Sequence, residues 1–207
     1  MKQKISFVDK KSPDLNRISE LLELCAAENT FANCGPLYKM LAENYAIHFG
    51  LNSHVSLTPC ANAGIALEAM ARLLSLRHGA KIKWAGSAFS FQNLGRGYFS
   101  DMAFVDCTSQ GLLDLDAIRA LPEDSFNGII VVNPFGLFEN FDAYTQFALE
   151  TDKFLLIDNA AGINQKIPDW PWQALSLHHT KPYGIGEGGL ALTPADAATE
   201  FYSLLNY

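Results

Sequence analysis

Apolar residues recur at helical spacing early in this chain and then, from His54 onward, in short runs that alternate with helical stretches. In the first part, the spacing predicts one helix over residues 13–28, capped by Ser12. It predicts a second helix over residues 36–50, which ends at a glycine. We expect this helical segment, about residues 1–50, to pack on the rest of the molecule.

The rest of the chain predicts strands and helices in alternation. Short apolar runs predict seven strands, at residues 55–57, 81–84, 102–105, 129–132, 154–157, 174–177 and 190–192. Helices are predicted at residues 64–78, 89–98, 115–121, 141–151 and 195–205, and a loop with two prolines at 164–172. Such alternation is typical of crossover connections. We therefore predict a three-layer α/β domain, with a mostly parallel seven-stranded sheet and helices on both faces.

Length and composition indicate a globular protein. The chain has 207 residues, of which 49% are hydrophobic and 18% are charged. A chain of this size buries about 70% of its unfolded surface, so we expect a single domain over residues 1–207 without a separate C-terminal domain. The net charge of −7 and the lack of a basic cluster argue against nucleic-acid binding. The pair Lys10 and Lys11 is typical of solvated surface.

The cysteines and the start of the chain argue against further classes. The four cysteines show neither CxxC spacing nor a metal-ligand pattern, so we expect reduced thiols and no metal site. Residues 1–5 do not begin a signal peptide, and no apolar run is long enough to cross a membrane. We expect a cytoplasmic protein that is not embedded in a membrane.

A carboxylate and a lysine stand out among the polar residues. The apolar run 154–157 predicts a buried strand ending at Asp158, and open α/β sheets place ligands where such strands end. Lys181 follows in a polar stretch, just before a glycine-rich segment at 184–189. Pyridoxal phosphate needs a lysine for a Schiff base and a carboxylate that keeps its ring nitrogen protonated. The two residues together therefore predict this cofactor.

Plainer explanations exist for both residues and for the glycines. A lone lysine after a polar stretch is commonly solvated, and an aspartate at a strand end commonly caps the next turn. Residues 184–189 also satisfy the GxGxxG pattern of dinucleotide sites, but a strand-like segment follows where that pattern needs a helix. We therefore interpret these glycines as a turn that lets two backbone segments approach closely.

The turn before the helix at 64–78 predicts an anion site, because N–H groups at a helix start attract negative charge. Asn62 stands at the cap position, and the small residues at 63–64 permit close approach. Ser176 could add a hydroxyl. An ordinary N-cap also explains Asn62 and does not exclude an anion. Phe89 could stack on a flat cofactor ring, although a core position is the simpler interpretation.

Together these segments resemble the DegT/DnrJ/EryC1/StrS family of pyridoxal-phosphate-dependent sugar aminotransferases, over nearly all of the chain. The most specific stretch is 175–181 with Gly-Glu-Gly-Gly at 186–189, which is similar to the family's Ser-Phe-x-x-x-Lys segment and the Gly-Glu-Gly-Gly after it. The order of the other parts agrees, at residues 62–67, 89, 104–106, 113–114, 132–136 and 157–160.

The resemblance implies a role for each candidate residue. Lys181 would bind the cofactor covalently, and Asp158 would pair with its pyridinium nitrogen. Ser176 and the backbone of Ala63 and Gly64 would hold the phosphate. Phe89 would cover the ring.

The resemblance also implies a fold-type-I large domain that works as a homodimer, with the active site near the subunit interface. The implied substrates are small molecules: an amino donor such as glutamate, and a keto sugar that is linked to a nucleotide.

The chain departs from the family pattern at three places. Residues 63–64 are Ala-Gly where relatives usually have Gly-Thr, Ala161 stands where they usually have Gln, and relatives continue into a smaller C-terminal domain. Two hypotheses follow. The first is an aminotransferase, favoured because Lys181 is retained where dehydratase relatives carry His. The second is a non-catalytic or remodelled relative that serves as a binding or interaction protein.

Overall fold

The computed structural model describes residues 6, 8, 10–136, 138, 140–162 and 166–205. Two helices come first, and strands and helices then alternate. In chain order the elements are α1 (Leu15–Ala27), α2 (Pro36–His48), β1 (Val55–Cys60), α3 (Ala63–His78), β2 (Trp84–Ser87), β3 (Ala103–Val105), α4 (Leu115–Arg119), β4 (Gly128–Val132), α5 (Asp142–Thr151), β5 (Phe154–Asp158), β6 (Gln173–Ser176), β7 (Gly189–Pro194) and α6 (Ala198–Leu205).

In the described part of the chain, the seven strands form one sheet in the order β1-β7-β6-β5-β4-β2-β3. β7 runs antiparallel to both of its neighbours. The other neighbouring strands are parallel. The prediction of a mostly parallel seven-stranded sheet is therefore confirmed.

Alternation along the central strands divides the core into two layers. In β4, Ile130 packs with α3 and α6, whereas the adjacent Ile129 packs with α4 and α5. In β5, Leu156 likewise belongs to the α3 layer and Ile157 to the opposite layer. Side chains alternate along a strand, so Asp158 at the end of β5 faces the α3 side. Helices on both faces confirm the predicted three-layer architecture.

The second strand begins later than predicted. Residues 81–83 lie before the ladder, and the N–H of Ile82 donates a hydrogen bond to Ser75 Oγ at 3.1 Å. The alternating Lys-Ile-Lys pattern predicted a strand that ends at Trp84. The observed strand instead begins at Trp84 and continues through small residues. A Cβ at Gly86 would lie 2.2 Å from Met102 Cε and 3.0 Å from Ile130 Cγ2, so both side chains would have to shift to admit a larger residue.

The helix predicted over residues 89–98 does not form. Turns occupy this segment, followed by a short 3-10 helix at Gly97–Phe99. Gly95 and Gly97 adopt φ values of 96° and 52°, a left-handed conformation that interrupts a right-handed helix. The close packing of Gly97 on the carboxylate of Glu68 fixes this turn, because Glu68 accepts the N–H of Tyr98.

The first helix differs from its prediction in cap and in burial. Asp14, not Ser12, is the N-cap. Its Oδ1 accepts the N–H groups of the second and third residues that follow it. Cys25 is the buried residue of α1, whereas Leu15 and Leu22 are exposed. The apolar spacing correctly predicted a helix here, but most of its apolar side chains do not enter the core.

Residues 166–172, the described part of the predicted loop, contain no helix or strand, and residues 164 and 165 lie outside the described residues. Within the described ranges, no helix combines the length and apolar character needed to span a membrane.

Candidate functional site

Several chain segments with candidate residues meet where the parallel strands end, which we call the carboxyl end of the sheet. β7 is antiparallel and therefore starts at this end, where Gly189 pairs with Cys60 of β1 and Ser176 of β6. Asp158 ends β5, the next strand beyond β6. Ligands of open α/β sheets bind at this end.

Asp158 is a buried carboxylate, 4% exposed. Its Oδ1 accepts the N–H of Ala160 at 3.1 Å, so the local turn predicted as an alternative does exist. Burial raises the pKa of Asp158 above its ordinary value, while the Ala160 N–H and the positive charge of Lys181 act in the opposite direction. Asp158 and Lys181 thus interact electrostatically, and we call them the acid–lysine pair.

Lys181 lies in two consecutive tight turns at residues 178–184, which we call the lysine turn. The N–H of Lys181 donates to the carbonyl of His178 at 2.8 Å, and the N–H of Gly184 donates to the carbonyl of Lys181 at 3.2 Å. A Cβ at Gly184 would lie 2.1 Å from the carbonyl oxygens of Leu177 and His178, so only glycine fits. Lys181 is half-buried rather than fully exposed.

Asn62, Ala63, Gly64 and Ser176 form a second group, which we call the helix-start cluster. Asn62 caps α3, because its Oδ1 accepts the N–H of Ile65 at 2.8 Å. The peptide joining Asn62 to Ala63 packs directly against β7. Since β7 pairs at that point with Ser176, the start of α3 and the end of β6 lie beside each other.

Close packing of main chain holds the helix-start cluster together. A Cβ at Gly189 would lie 2.4 Å from the carbonyl carbon of Asn62 and 2.5 Å from the nitrogen of Ala63. Ser176 is buried, and its Oγ accepts the N–H of His178 at 3.1 Å. That acceptance leaves the hydroxyl hydrogen of Ser176 for donation to a ligand.

Phe89 lies elsewhere along the carboxyl end. It follows β2, which is separated from β5 by β4. Its side chain is 49% exposed, so the core position considered from the sequence is wrong. Its ring lies 6.1 Å from the ring of Phe135, at an interplanar angle of 48°. Phe89 therefore lies beside a second exposed aromatic residue just after the end of β2.

Sequence reasoning missed the asparagines beside Asp158. Asn133 follows β4 directly and is 1% exposed. Its Nδ2 donates to Asn159 Oδ1 and to the carbonyl of Phe138, both at 3.0 Å. This bridge ties the ends of β4 and β5 together and fixes the backbone that presents Asp158. The available signal was a polar residue directly after an apolar run, the same signal that identified Asp158.

Sequence reasoning also missed two supports of the lysine turn. The ammonium group of Lys11 donates hydrogen bonds to the carbonyls of Lys181 and Gly184, although Lys11 was predicted to be solvated surface. On another side, Tyr183 packs edge-on against Tyr45 and His48 of α2, with ring centroids 6.0 and 5.4 Å away.

A cavity of about 260 Å³ lies away from the candidate residues. Its lining includes Val55 and Gln173, the first residues of β1 and β6, so it opens at the opposite end of the sheet. None of the candidate residues lines it. The chemistry of the carboxyl end, rather than cavity size, therefore identifies the candidate site.

Comparison with known sequences gives a family match. A sequence model of the DegT/DnrJ/EryC1/StrS aminotransferase family matches residues 14–207. Protein Mb3436c of Mycobacterium bovis is 25% identical over 206 residues, which cover 90% of this chain and 48% of that protein. The chain thus spans about half the length of the curated relatives it matches.

Solved structures share the fold. A 3-amino-5-hydroxybenzoic acid synthase superposes with a TM-score of 0.75 at 22% identity, covering 95% of this chain and 52% of the other. An E. coli GDP-4-keto-6-deoxy-D-mannose-3-dehydratase, solved with bound hydrated PLP, gives 0.74 at 20% identity, covering 96% and 52%. These likenesses confirm the predicted fold class.

Proposed function

This chain belongs to the DegT/DnrJ/EryC1/StrS aminotransferase family, and we propose that it acts as a pyridoxal-phosphate-dependent aminotransferase on a keto sugar. The amino donor would be an amino acid such as glutamate. One observation carries the proposal: the acid–lysine pair and the helix-start cluster occupy the same end of the sheet. They offer a covalent anchor, a partner for the ring nitrogen and an anion seat.

The acid–lysine pair suits the ring of pyridoxal phosphate. Burial raises the pKa of Asp158, and a cation placed beside its carboxylate would favour the ionised form again. A protonated ring nitrogen is such a cation, so Asp158 would hold the proton on that nitrogen. When bound, the cofactor supplies an electron sink that stabilises a carbanion at the substrate carbon.

The helix-start cluster suits the phosphate group. The first N–H groups of a helix have no acceptor within the helix, and they attract an anion together with the helix dipole. The side chain of Asn62 accepts the N–H of Ile65, so the N–H groups of Ala63 and Gly64 would be the donors to the phosphate. Ser176 would add a hydroxyl donor.

Lys181 would perform two tasks with its ε-amino group. It would hold the cofactor at rest, and after displacement by the amino donor it would carry a proton away from the donor's α-carbon. Its half-buried position near the charge of Asp158 supports both tasks. The same residue favours transamination over dehydration, because dehydratases that resemble this family carry His at this position.

We extend the proposal to Phe89, to assembly and to location. Phe89 would cover the cofactor ring, and its 49% exposure leaves a ring face accessible. The active form would be a cytoplasmic homodimer. Five phenylalanines among the described residues are 47–68% exposed and provide apolar surface for a second copy, at residues 31, 89, 91, 104 and 135. Sedimentation of the cofactor-loaded protein tests the assembly, and a monomer at every concentration would contradict it.

Absorbance spectroscopy tests the central proposal. Mixing the protein with pyridoxal phosphate should produce the visible band of a lysine-linked cofactor, and borohydride reduction should fix the label on the peptide that contains Lys181. Lys181→Ala should give no band and a loss of turnover of about 10²–10⁴-fold or more. Lys39→Ala, which removes an exposed lysine, is the matched control and should behave as the unmodified protein.

Two results would count against the proposal. An unmodified protein without the band, or an unchanged band in Lys181→Ala, would remove cofactor attachment. A protein that binds the cofactor but never converts it to the amine form with glutamate, or with any other amino acid, would favour the non-catalytic hypothesis.

A further inference from the structure

Lys11 joins the N-terminal segment to the lysine turn. Its ammonium group donates hydrogen bonds to the carbonyl oxygens of Lys181 and Gly184, which open and close the second turn of that segment. The contact connects residues that are 170 and 173 positions apart in the sequence. It therefore depends on the completed fold and is not a local turn feature.

The contact adds to hydrogen bonds that the lysine turn already makes. The carbonyl of Lys181 accepts the N–H of Gly184, and the ammonium of Lys11 provides a second, charged donor to the same oxygen. Hydrogen bonds from a charged donor are shorter and stronger than neutral ones. One cation bridging two carbonyls restrains the distance between them, and hence the conformation of the main chain that carries the Lys181 side chain.

A second restraint acts on the same turn from α2. The hydroxyl of Tyr183 lies 3.1 Å from Nε2 of His48, and its ring packs edge-on against the ring of Phe49 at 6.0 Å. Tyr183 anchors the middle of the turn, whereas Lys11 anchors its two end carbonyls. Both anchors come from the helical segment that precedes the sheet.

We propose that Lys11 is a positioning residue that holds the lysine turn so that the side chain of Lys181 reaches its cofactor beside Asp158. The proposal rests on the proposed function, because it assigns a purpose to the position of Lys181. Lys11 would act through the main chain, since its hydrogen bonds are to the carbonyls of the turn.

The chain provides a matched control at the adjacent position. Lys10 has the same side chain and is exposed, whereas Lys11 is partly buried against the lysine turn. Replacing either residue removes one positive charge from nearly the same place, so any difference between the two variants reports the hydrogen bonds rather than net charge. Lys11→Arg keeps a charged donor of similar reach and should restore most of the effect.

Hydrogen exchange of the cofactor-free protein is the first test. In Lys11→Ala, we expect the amides of Lys181 and Gly184 to exchange roughly tenfold faster, because a hydrogen bond from a charged group is lost. Amides of β4 should keep their protection. Lys10→Ala and Lys11→Arg should resemble the unmodified protein. Unchanged exchange at the lysine turn in Lys11→Ala would overturn the proposal.

Cofactor attachment is the second test. With pyridoxal phosphate, Lys11→Ala should develop the lysine-linked band roughly tenfold more slowly than Lys10→Ala, and Lys11→Arg should recover the rate. Equal rates in all variants would overturn the positioning role. If the unmodified protein forms no band, the proposed function fails, whereas the exchange experiment still decides whether Lys11 holds the turn.

A second substitution at position 11 provides the test if Lys11→Ala disturbs the whole fold. If Lys11→Ala lost protection in β4 as well as in the lysine turn, Lys11→Met would replace it, since methionine keeps most of the aliphatic side chain and removes the donor. Faster exchange confined to the lysine turn in Lys11→Met supports the proposal, and exchange like that of the unmodified protein overturns it.

Discussion

The acid–lysine pair and the helix-start cluster lie at the same end of the sheet but are built differently. The first depends on two ionisable side chains, one of them a carboxylate that is 4% exposed. The second depends on main-chain groups at the start of α3, packed against a glycine of β7. Substitutions in the first should therefore change charge and chemistry, whereas substitutions in the second should change packing and stability.

The largest effect in this comparison is expected for Asp158→Asn with the cofactor present. Asparagine has similar shape and can still accept the N–H of Ala160, but it cannot neutralise a protonated ring nitrogen. Removing one partner of a buried charge pair costs about 3–5 kcal/mol, so cofactor binding should weaken by that amount. Titration followed by absorbance measures the affinity. Unchanged affinity would remove Asp158 from the site.

The same substitution should stabilise the cofactor-free protein, increasingly so as pH rises. Burial raises the pKa of Asp158 in the folded state, so the folded protein binds its proton more tightly than the unfolded chain does. The wild type therefore loses stability relative to Asp158→Asn as pH rises from about 4, the unfolded pKa, towards the folded value. Urea unfolding at several pH values measures the difference, and a gap that narrows with rising pH would contradict it.

A smaller effect is expected for Gly189→Ala, which tests the helix-start cluster by packing alone. The new Cβ would lie 2.4 Å from main-chain carbon of Asn62, so the start of α3 must move away from β7. Overpacking of this kind costs about 1–3 kcal/mol in the free energy of unfolding. Gly186→Ala is the control, because a Cβ there meets no atom within 4 Å. Equal stability of both variants in urea unfolding would show that the contact is not tight.

The smallest effect is expected for Asn62→Ala. The variant loses the side-chain acceptor for the N–H of Ile65 and should lose about 1 kcal/mol of stability. Asn62→Ser retains an acceptor and should recover most of it. Thermal unfolding of the three proteins measures the order, and an alanine variant as stable as wild type would contradict the cap. Neither variant should alter the pH dependence, because neither changes a titrating group.

The acid–lysine pair could be predicted because each residue follows from a local pattern. An apolar run that ends in a carboxylate predicts a buried strand and its end, and Asp158 occupies that position. Lys181 precedes a glycine-rich segment, whose Gly184 is required by close main-chain contacts. Local sequence therefore predicted both residues, and the order of strands in the sheet then placed them at one end.

The missed features depend on contacts between distant segments. Lys10 and Lys11 are equivalent in sequence, and only the position of the lysine turn makes one of them a hydrogen-bond donor. The strand at Trp84–Ser87 contains small residues with little strand propensity, and burial on both faces selects it. At α1, helical spacing predicted the helix but could not show how little of its apolar face would be covered.

The antiparallel direction of β7 has a consequence for folding. β6 and β7 are neighbours in the sheet and in the sequence, joined by residues 177–188, which contain Lys181. Pairing β6 with β7 closes only a short loop. Pairing β1 with β7 joins segments that lie far apart in the sequence, which is slower. We expect the β6–β7 hairpin to form early and to place Lys181 close to Ser176 before α3 docks. On this order of events, Lys181 is in position before the start of α3 joins Ser176 in the helix-start cluster.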